Sequence, residues 1–186
     1  MVKRDLIRNI ILVLIVILVA VLLRIFLFST FRVREGNANS YLKNGDVVTV
    51  ATKRELLPND FVVYKVKGKE YVGRIVAEPG QTVTYMDDVF YVNSKVKQED
   101  YLKSEKDKFQ KTAEPGRAFT DDFTTETIAK DDSVHKIPKD SYLILNDNRQ
   151  NKEDSRKFGF VSAKNIKGVI SFRLWPLNKF GFVTVE

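Results

Sequence analysis

The stretch Asn146-Asp147-Asn148-Arg149-Gln150-Asn151-Lys152-Glu153-Asp154-Ser155-Arg156, followed by Phe158-Gly159, concentrates paired charge in a turn-rich segment. Asp147 and Asp154 supply carboxylates, and Arg149 and Arg156 supply planar guanidinium forks that fit a carboxylate with two parallel hydrogen bonds. Such pairing fixes loop geometry, so on chemistry alone the segment reads as a structural salt-bridge knot.

On either side of it the chain alternates between short β-rich runs and turns. The runs are Val47 to Val50, Phe61 to Val66, Tyr71 to Ala77, Thr82 to Tyr85, Val89 to Val92, Tyr142 to Leu145 and Val169 to Leu174. A mainly antiparallel β domain is expected. Pro79-Gly80 reads as a type II turn, because Pro presets the first central residue and Gly accepts the positive φ of the second. Residues 70–93 are accordingly expected to form a meander. From 95 to 139 the chain is charged, carries Glu114-Pro115-Gly116 and has few long apolar runs, which predicts a partly mobile surface insertion between strands.

The 186 residues, 44% hydrophobic and 30% charged, suit one globular domain once the N-terminal apolar run is set apart. With no cysteine there is no disulfide, thiolate metal site or cysteine nucleophile. His135 is the single histidine and lies among Asp131, Asp132 and Lys136, as a surface loop residue would. No metal and no cofactor are expected. The formal charge of +7 does not imply nucleic acid, because the basic residues after residue 30 are interleaved with acids. They could instead hold the domain against anionic membrane lipid, an attraction weakened by salt.

Ile10 to Leu23 is uninterrupted apolar sequence, and the run resumes after Arg24 with Ile25 to Phe28. As a helix this stretch is roughly 28 Å long, enough for a bilayer. Residues 9–29 are expected to be a transmembrane anchor, with 1–8 cytoplasmic and 31–186 extracytoplasmic. Lys3, Arg4 and Arg8, opposed by Asp5 alone, give the positive-inside orientation. A cleaved signal peptide is the rival reading. The run exceeds a usual signal core and Phe28-Ser29-Thr30-Phe31 lacks a small-x-small cleavage pattern, which favours a retained anchor.

The charged stretch closely resembles the type I signal peptidase signature Gly-Asp-Asn-Arg-x-x-Ser-x-Asp-Ser-Arg. Asn44-Gly45-Asp46-Val47-Val48 resembles that family's Gly-Asp turn and strand, Tyr71 to Gly80 its Tyr-Val-Lys-Arg strand and Pro-Gly turn, and Gly168 to Trp175-Pro176 its closing strand. With the four segments in order after an N-terminal apolar run, the chain is identified as a member of the family. The resemblance implies the signal peptidase β fold seated on a membrane, with Asp147, Asn148, Arg149, Asp154, Ser155 and Arg156 bracing the floor of the site.

What the resemblance implies about catalysis is negative. Active members pair a Ser nucleophile with a Lys base whose pKa is lowered by burial. Counting back from Gly45-Asp46 sets Asn37 in the Ser position and Ala38 in the neighbouring Met position; a one-residue shift sets Ala38 in the Ser position. Gly73 occupies the base position. No competent catalytic pair is present at these positions. Ser40 reads as an ordinary turn hydroxyl, and Lys69, four residues from Gly73 on a strand, is roughly 13 Å away and out of reach. Glu35 would oppose an oxyanion developing nearby. Lys152 replaces a family Ser that orients the catalytic Lys; it partly refills the vacated space, offers a cation to a bound carboxylate or carbonyl, or is a surface lysine in a polar loop. Val33, Glu35, Asn37, Ala38, Val72, Gly73 and Lys152 are candidate residues of a groove or binding site for an extended peptide, the two valines being at least as readable as β core.

The expected function is that of a membrane-anchored, signal peptidase-like chaperone or assembly factor without peptidase activity. Members lacking the Ser-Lys pair are associated with sortase-dependent pilus assembly in Gram-positive bacteria, which implies a major pilin or other exported preprotein as partner and a sortase indirectly. The alternative is an active signal peptidase that removes signal peptides from preproteins.

Overall fold

The computed structural model describes residues 2–183; the side chains at 2–4, 20 and 22–28 lie outside that description, as do residue 1 and the last three positions of the expected 31–186 domain. Helix α1 runs Val2–Leu27. Among the described residues twelve strands follow: β1 Phe28–Arg32, β2 Val47–Ala51, β3 Phe61–Val66, β4 Lys69–Ala77, β5 Val83–Met86, β6 Val89–Val92, β7 Lys95–Val96, β8 Phe123–Thr124, β9 Ser141–Leu145, β10 Val161–Ser162, β11 Ile166–Trp175 and β12 Gly181–Phe182. Short helices α2 (Lys103–Gln110), α3 (Thr125–Ala129) and α4 (Ser155–Phe158) lie between them.

Among the described residues every strand pairing is antiparallel, in keeping with the mainly antiparallel domain that the sequence predicts. The larger sheet has the order β1-β2-β11-β3-β4-β9-β10, with β12 beside β11, and the smaller has the order β7-β6-β5-β8. In β2 burial alternates, so Val48 and Val50 face one core while their neighbours are half-exposed. The continuous apolar run of β3 has the opposite meaning. Phe61 to Tyr64 are all buried, because this central strand is covered on both faces.

Three hairpins are closed by two residues that both have positive φ: Lys67-Gly68, Asp87-Asp88 and Asn93-Ser94. That is the turn whose twist suits a two-residue hairpin. Gly168, at φ 152°, is required by close approach: a Cβ there would lie 2.3 Å from the Ala51 carbonyl oxygen.

The structure departs from the sequence reading in several places. Residues 70–93 are not a meander, since β4 and β5 belong to different sheets. The Pro79-Gly80 turn itself is present, with Gly80 at φ 81° and Gln81 N–H donating to the Glu78 carbonyl; it carries the chain from one sheet to the next. The 95–139 stretch is built into the domain. Tyr101, Leu102 and Phe119 form one buried cluster, and Phe123, Ile128 and Ile137 join Val83, Tyr85 and Phe90 in another. Scattered aromatic and aliphatic anchors do this without any long apolar run.

Among the described residues no helix is long and apolar enough to cross a membrane. The apolar run gives way at Phe28, where the chain enters β1 by pairing with Ala51. Leu6, Ile10, Leu14 and Leu18 on the helix are exposed.

Candidate functional site

The charged signature follows β9 directly, and its acids and arginines do not all pair with one another as expected. Only Asp154 and Arg156 do so, through Arg156 Nε to Oδ1 at 2.9 Å and Nη2 to Oδ2 at 2.7 Å. Asp154 also accepts from Asn146 N–H at 2.9 Å and caps α4 by accepting from Arg156 N–H at 3.0 Å. Arg156 donates onward to the carbonyls of Arg149 and Asn151, each at 2.8 Å, and Ser155 Oγ accepts from Ile144 N–H at 3.0 Å. Asn148 Oδ1 accepts from Gln150 N–H at 3.2 Å.

The other two charges reach outside the segment. Asp147 pairs with Arg74 of β4, whose Nε donates at 2.8 Å, and both are buried. Arg149, also buried, pairs with Glu99. Glu99 further accepts from Tyr101 Oη at 2.6 Å and Tyr85 Oη at 3.1 Å. Burial alone would push the Glu99 carboxyl up, but Arg149 and the tyrosine hydroxyls outweigh it and hold it below the usual range. For Asp147 burial dominates over the attraction of Arg74, and its carboxyl is pushed up. The Arg74 and Glu99 partners lie far away in sequence, so nothing in the signature itself pointed to them.

Beside this frame lies the loop aligned with the family's nucleophile segment. Val33 and Asp46 close its base, with Val33 N–H to the Asp46 carbonyl at 2.8 Å and Gly45 N–H to the Val33 carbonyl at 2.9 Å. Within it, Glu35–Asn37 form a 3-10 turn. Asn37 Oδ1 accepts from Val72 N–H of β4 at 3.3 Å, so the Asn37 carboxamide lies next to Gly73. The side chain of Ala38 instead packs against the buried cluster of Leu42, Val48 and Val50. Of the two registers left open by the sequence, the one with Asn37 in the nucleophile position has its side chain hydrogen-bonded to the residue before Gly73.

Gly73 has no room for a side chain. A Cβ would lie 2.6 Å from Ile144 Cγ2 and 3.1 Å from the Leu145 carbonyl oxygen, because β9 is drawn close against β4 at the Arg74↔Leu145 pair.

Lys152 does not refill this space. Its exposed ammonium pairs with exposed Asp121, on the rim of a different depression lined also by Phe123 and Arg156. Val33 and Val72 are core rather than groove wall, buried with Leu42, Val48, Phe61 and Ile170. Glu35 is exposed on its turn. Ser40 is engaged by Glu105 of α2. His135 is exposed and meets Glu126 at 2.9 Å, and this hydrogen bond holds the Glu126 carboxyl down at about 2.

The sequence reading missed Asn151. Its Nδ2 donates to the Gly36 carbonyl at 2.9 Å, tying the charged signature to the 35–37 turn. A cleft of about 900 Å³ opens here, lined by Arg34, Asn37, Lys69, Glu70 and Asn151 among others. Its position between two motifs distant in sequence gave no local signal.

The two sheets, the buried guanidinium–carboxylate frame and the cleft between the 35–37 turn and β4 define an antiparallel β protein of the signal peptidase type. A family model described as signal peptidase, peptidase S26, matches residues 6–175. The signal peptidase I of Bacillus caldolyticus is 34% identical over 165 residues, 86% of each chain. The signal peptidase IB of Staphylococcus aureus (strain MRSA252) is 29% identical, covering 97% of this chain and 95% of its own. The crystal structure of a signal peptidase I from Enterococcus faecalis V583 superposes with a TM-score of 0.56 at 34% identity, over 62% of this chain and 97% of that one. The chain belongs to the peptidase S26 family, the type I signal peptidases.

Proposed function

We propose that this member of the family binds an exported polypeptide without cutting it. One observation carries the reading: where a nucleophile and a base would meet, Asn37 Oδ1 is hydrogen-bonded to Val72 N–H beside a glycine whose Cβ position is closed by Ile144. A carboxamide is a poor nucleophile, and a hydrogen in place of an ammonium stem leaves no proton acceptor there. The frame around the position is retained, with Arg74–Asp147, Arg149–Glu99 and Asp154–Arg156 all paired. A scaffold that keeps its frame and its cleft while Asn37 and Gly73 stand at these two positions supports holding over cleavage.

In this proposal α1 and the apolar sequence through 28 tether the chain as a single-pass membrane protein, N-terminus inside, and the β domain works outside the cell. The partner is a major pilin or another exported preprotein, delivered to a sortase that the chain need not touch. Photo-crosslinking from position 37 in intact cells tests the partner. A crosslink to a pilin supports the assembly role, whereas crosslinks to unrelated preproteins alone would place the chain in general secretion.

A second reading is an active signal peptidase using other residues. It is favoured by the names of the relatives, signal peptidase I and IB, and makes the opposite demand: the unaltered chain must release a signal peptide.

A further inference from the structure

The cleft carries an electrostatic bias that its lining composition conceals. Arg32, Arg34 and Lys69 line it with Glu70 and Glu153, which looks nearly balanced. Both acids, however, are already engaged by lysines that do not line the cleft: Glu70 by Lys167 at 2.7 Å and Glu153 by Lys157. Among the described residues no ion pair involves Arg32, Arg34 or Lys69, and all three are exposed. The free charge facing the cleft is positive.

The cleft is also flanked by unpaired strand edge. β1 terminates the larger sheet and pairs with β2 alone on that path. β9 follows β4 only as far as Arg74. Toward the start of β4, Val72 N–H on that side is taken by Asn37, and by the alternation of an antiparallel strand Glu70 N–H and C=O face the same way. An extended segment lying there finds main-chain partners on the edges and cations along its flank.

We propose that the cleft recognises an extended peptide segment by its acidic side chains, with Arg32, Arg34 and Lys69 as the receiving cations. This rests on the reading above that the cleft accepts polypeptide, and adds the chemistry by which it selects. Planar guanidiniums at 32 and 34 suit carboxylates better than lysines would, and the exposed setting makes the selection sensitive to salt.

The test uses the full chain in detergent micelles and three fluorescent peptides of one length: a neutral extended sequence with two Gln, the same with two Glu, and the same with two Lys. Anisotropy titration at low salt is expected to show the Glu peptide binding about 10-fold tighter than the Gln peptide, the sum of two exposed ion pairs, and the Lys peptide weakest. The triple variant Arg32→Gln, Arg34→Gln, Lys69→Gln is expected to bring the Glu peptide down to the affinity of the Gln peptide. Equal binding of the Glu and Gln peptides to the unaltered chain overturns the acidic preference and leaves peptide binding standing. Preference retained in the triple variant overturns the assignment of the cations. Failure of every peptide to bind overturns both this proposal and the reading beneath it.

Discussion

Arg74 and Asp147 form a buried bidentate pair that joins β4 to the loop after β9, with the Arg74 guanidinium 3.9 Å from the ring centroid of Tyr101 and 4.2 Å from that of Phe61. The pair removes two charges from water at once, so its worth depends on both partners being present.

Removing either partner alone is expected to be severe. Arg74→Leu or Asp147→Leu should each cost about 3–5 kcal/mol, while the double substitution costs less than either single one, because no buried charge is left uncompensated. Denaturant unfolding of the four proteins measures the coupling. Arg74→Lys should cost less than Arg74→Leu, since it keeps a cation beside Asp147, but should still destabilise, because a point charge cannot reproduce the fork or its stacking between the rings.

Glu99 gives the fold an acid limit. Its folded pKa is held below the unfolded value, so its contribution is fully present above about pH 4.5 and is lost as pH falls through the folded value. Asp147 works the other way: its folded pKa is raised, so its contribution is present below the unfolded value and lost as pH rises through the folded one. Thermal melts between about pH 3 and pH 7 should show a falling acid limb that is flattened in Glu99→Gln. An unchanged limb in that variant would remove Glu99 from the account.

Gly73 and Ile144 are expected to behave as one packing unit. Gly73→Ala should cost about 1–3 kcal/mol through overpacking against Ile144 Cγ2. Ile144→Leu, which takes away that methyl, should recover part of the loss in the double variant, and unfolding curves that are merely additive would argue against the contact.

The Asn37 carboxamide should be visible in hydrogen exchange. Asn37→Ala removes the acceptor of Val72 N–H, and that amide should exchange faster while the amides of β3 keep their protection. A Val72 amide that is already unprotected in the unaltered chain would contradict the bond.

The sequence was most informative where structure is local. Strands Phe61–Val66 and Val89–Val92 are found with the bounds that the apolar runs predict, and the Pro79-Gly80 turn follows from the φ preferences of two residues. Topology was harder. A turn signal does not say whether the chain doubles back or crosses to another sheet, and β5 crosses. The 95–139 stretch misled because its buried anchors, the adjacent Tyr101 and Leu102, then Phe119 and Ile128, are scattered among exposed positions and never form a long apolar run. At the site, motif spacing singled out Asn37 and Gly73, and the Asn37 side chain meets β4 at Val72, the residue before Gly73. The direction of Lys152 was not readable, because Asp121, which holds it, lies in that same misread stretch.

The most direct measurement places the full chain, unaltered and as the triple variant Asn37→Ser, Gly73→Lys, Ile144→Ala, with a purified pilin preprotein in detergent, and follows the products by mass spectrometry. Ile144 must be trimmed because it stands where the new lysine stem would run. The account predicts that the unaltered chain retains the preprotein intact, and that any cleavage appears only in the triple variant. Release of a signal peptide by the unaltered chain would contradict it.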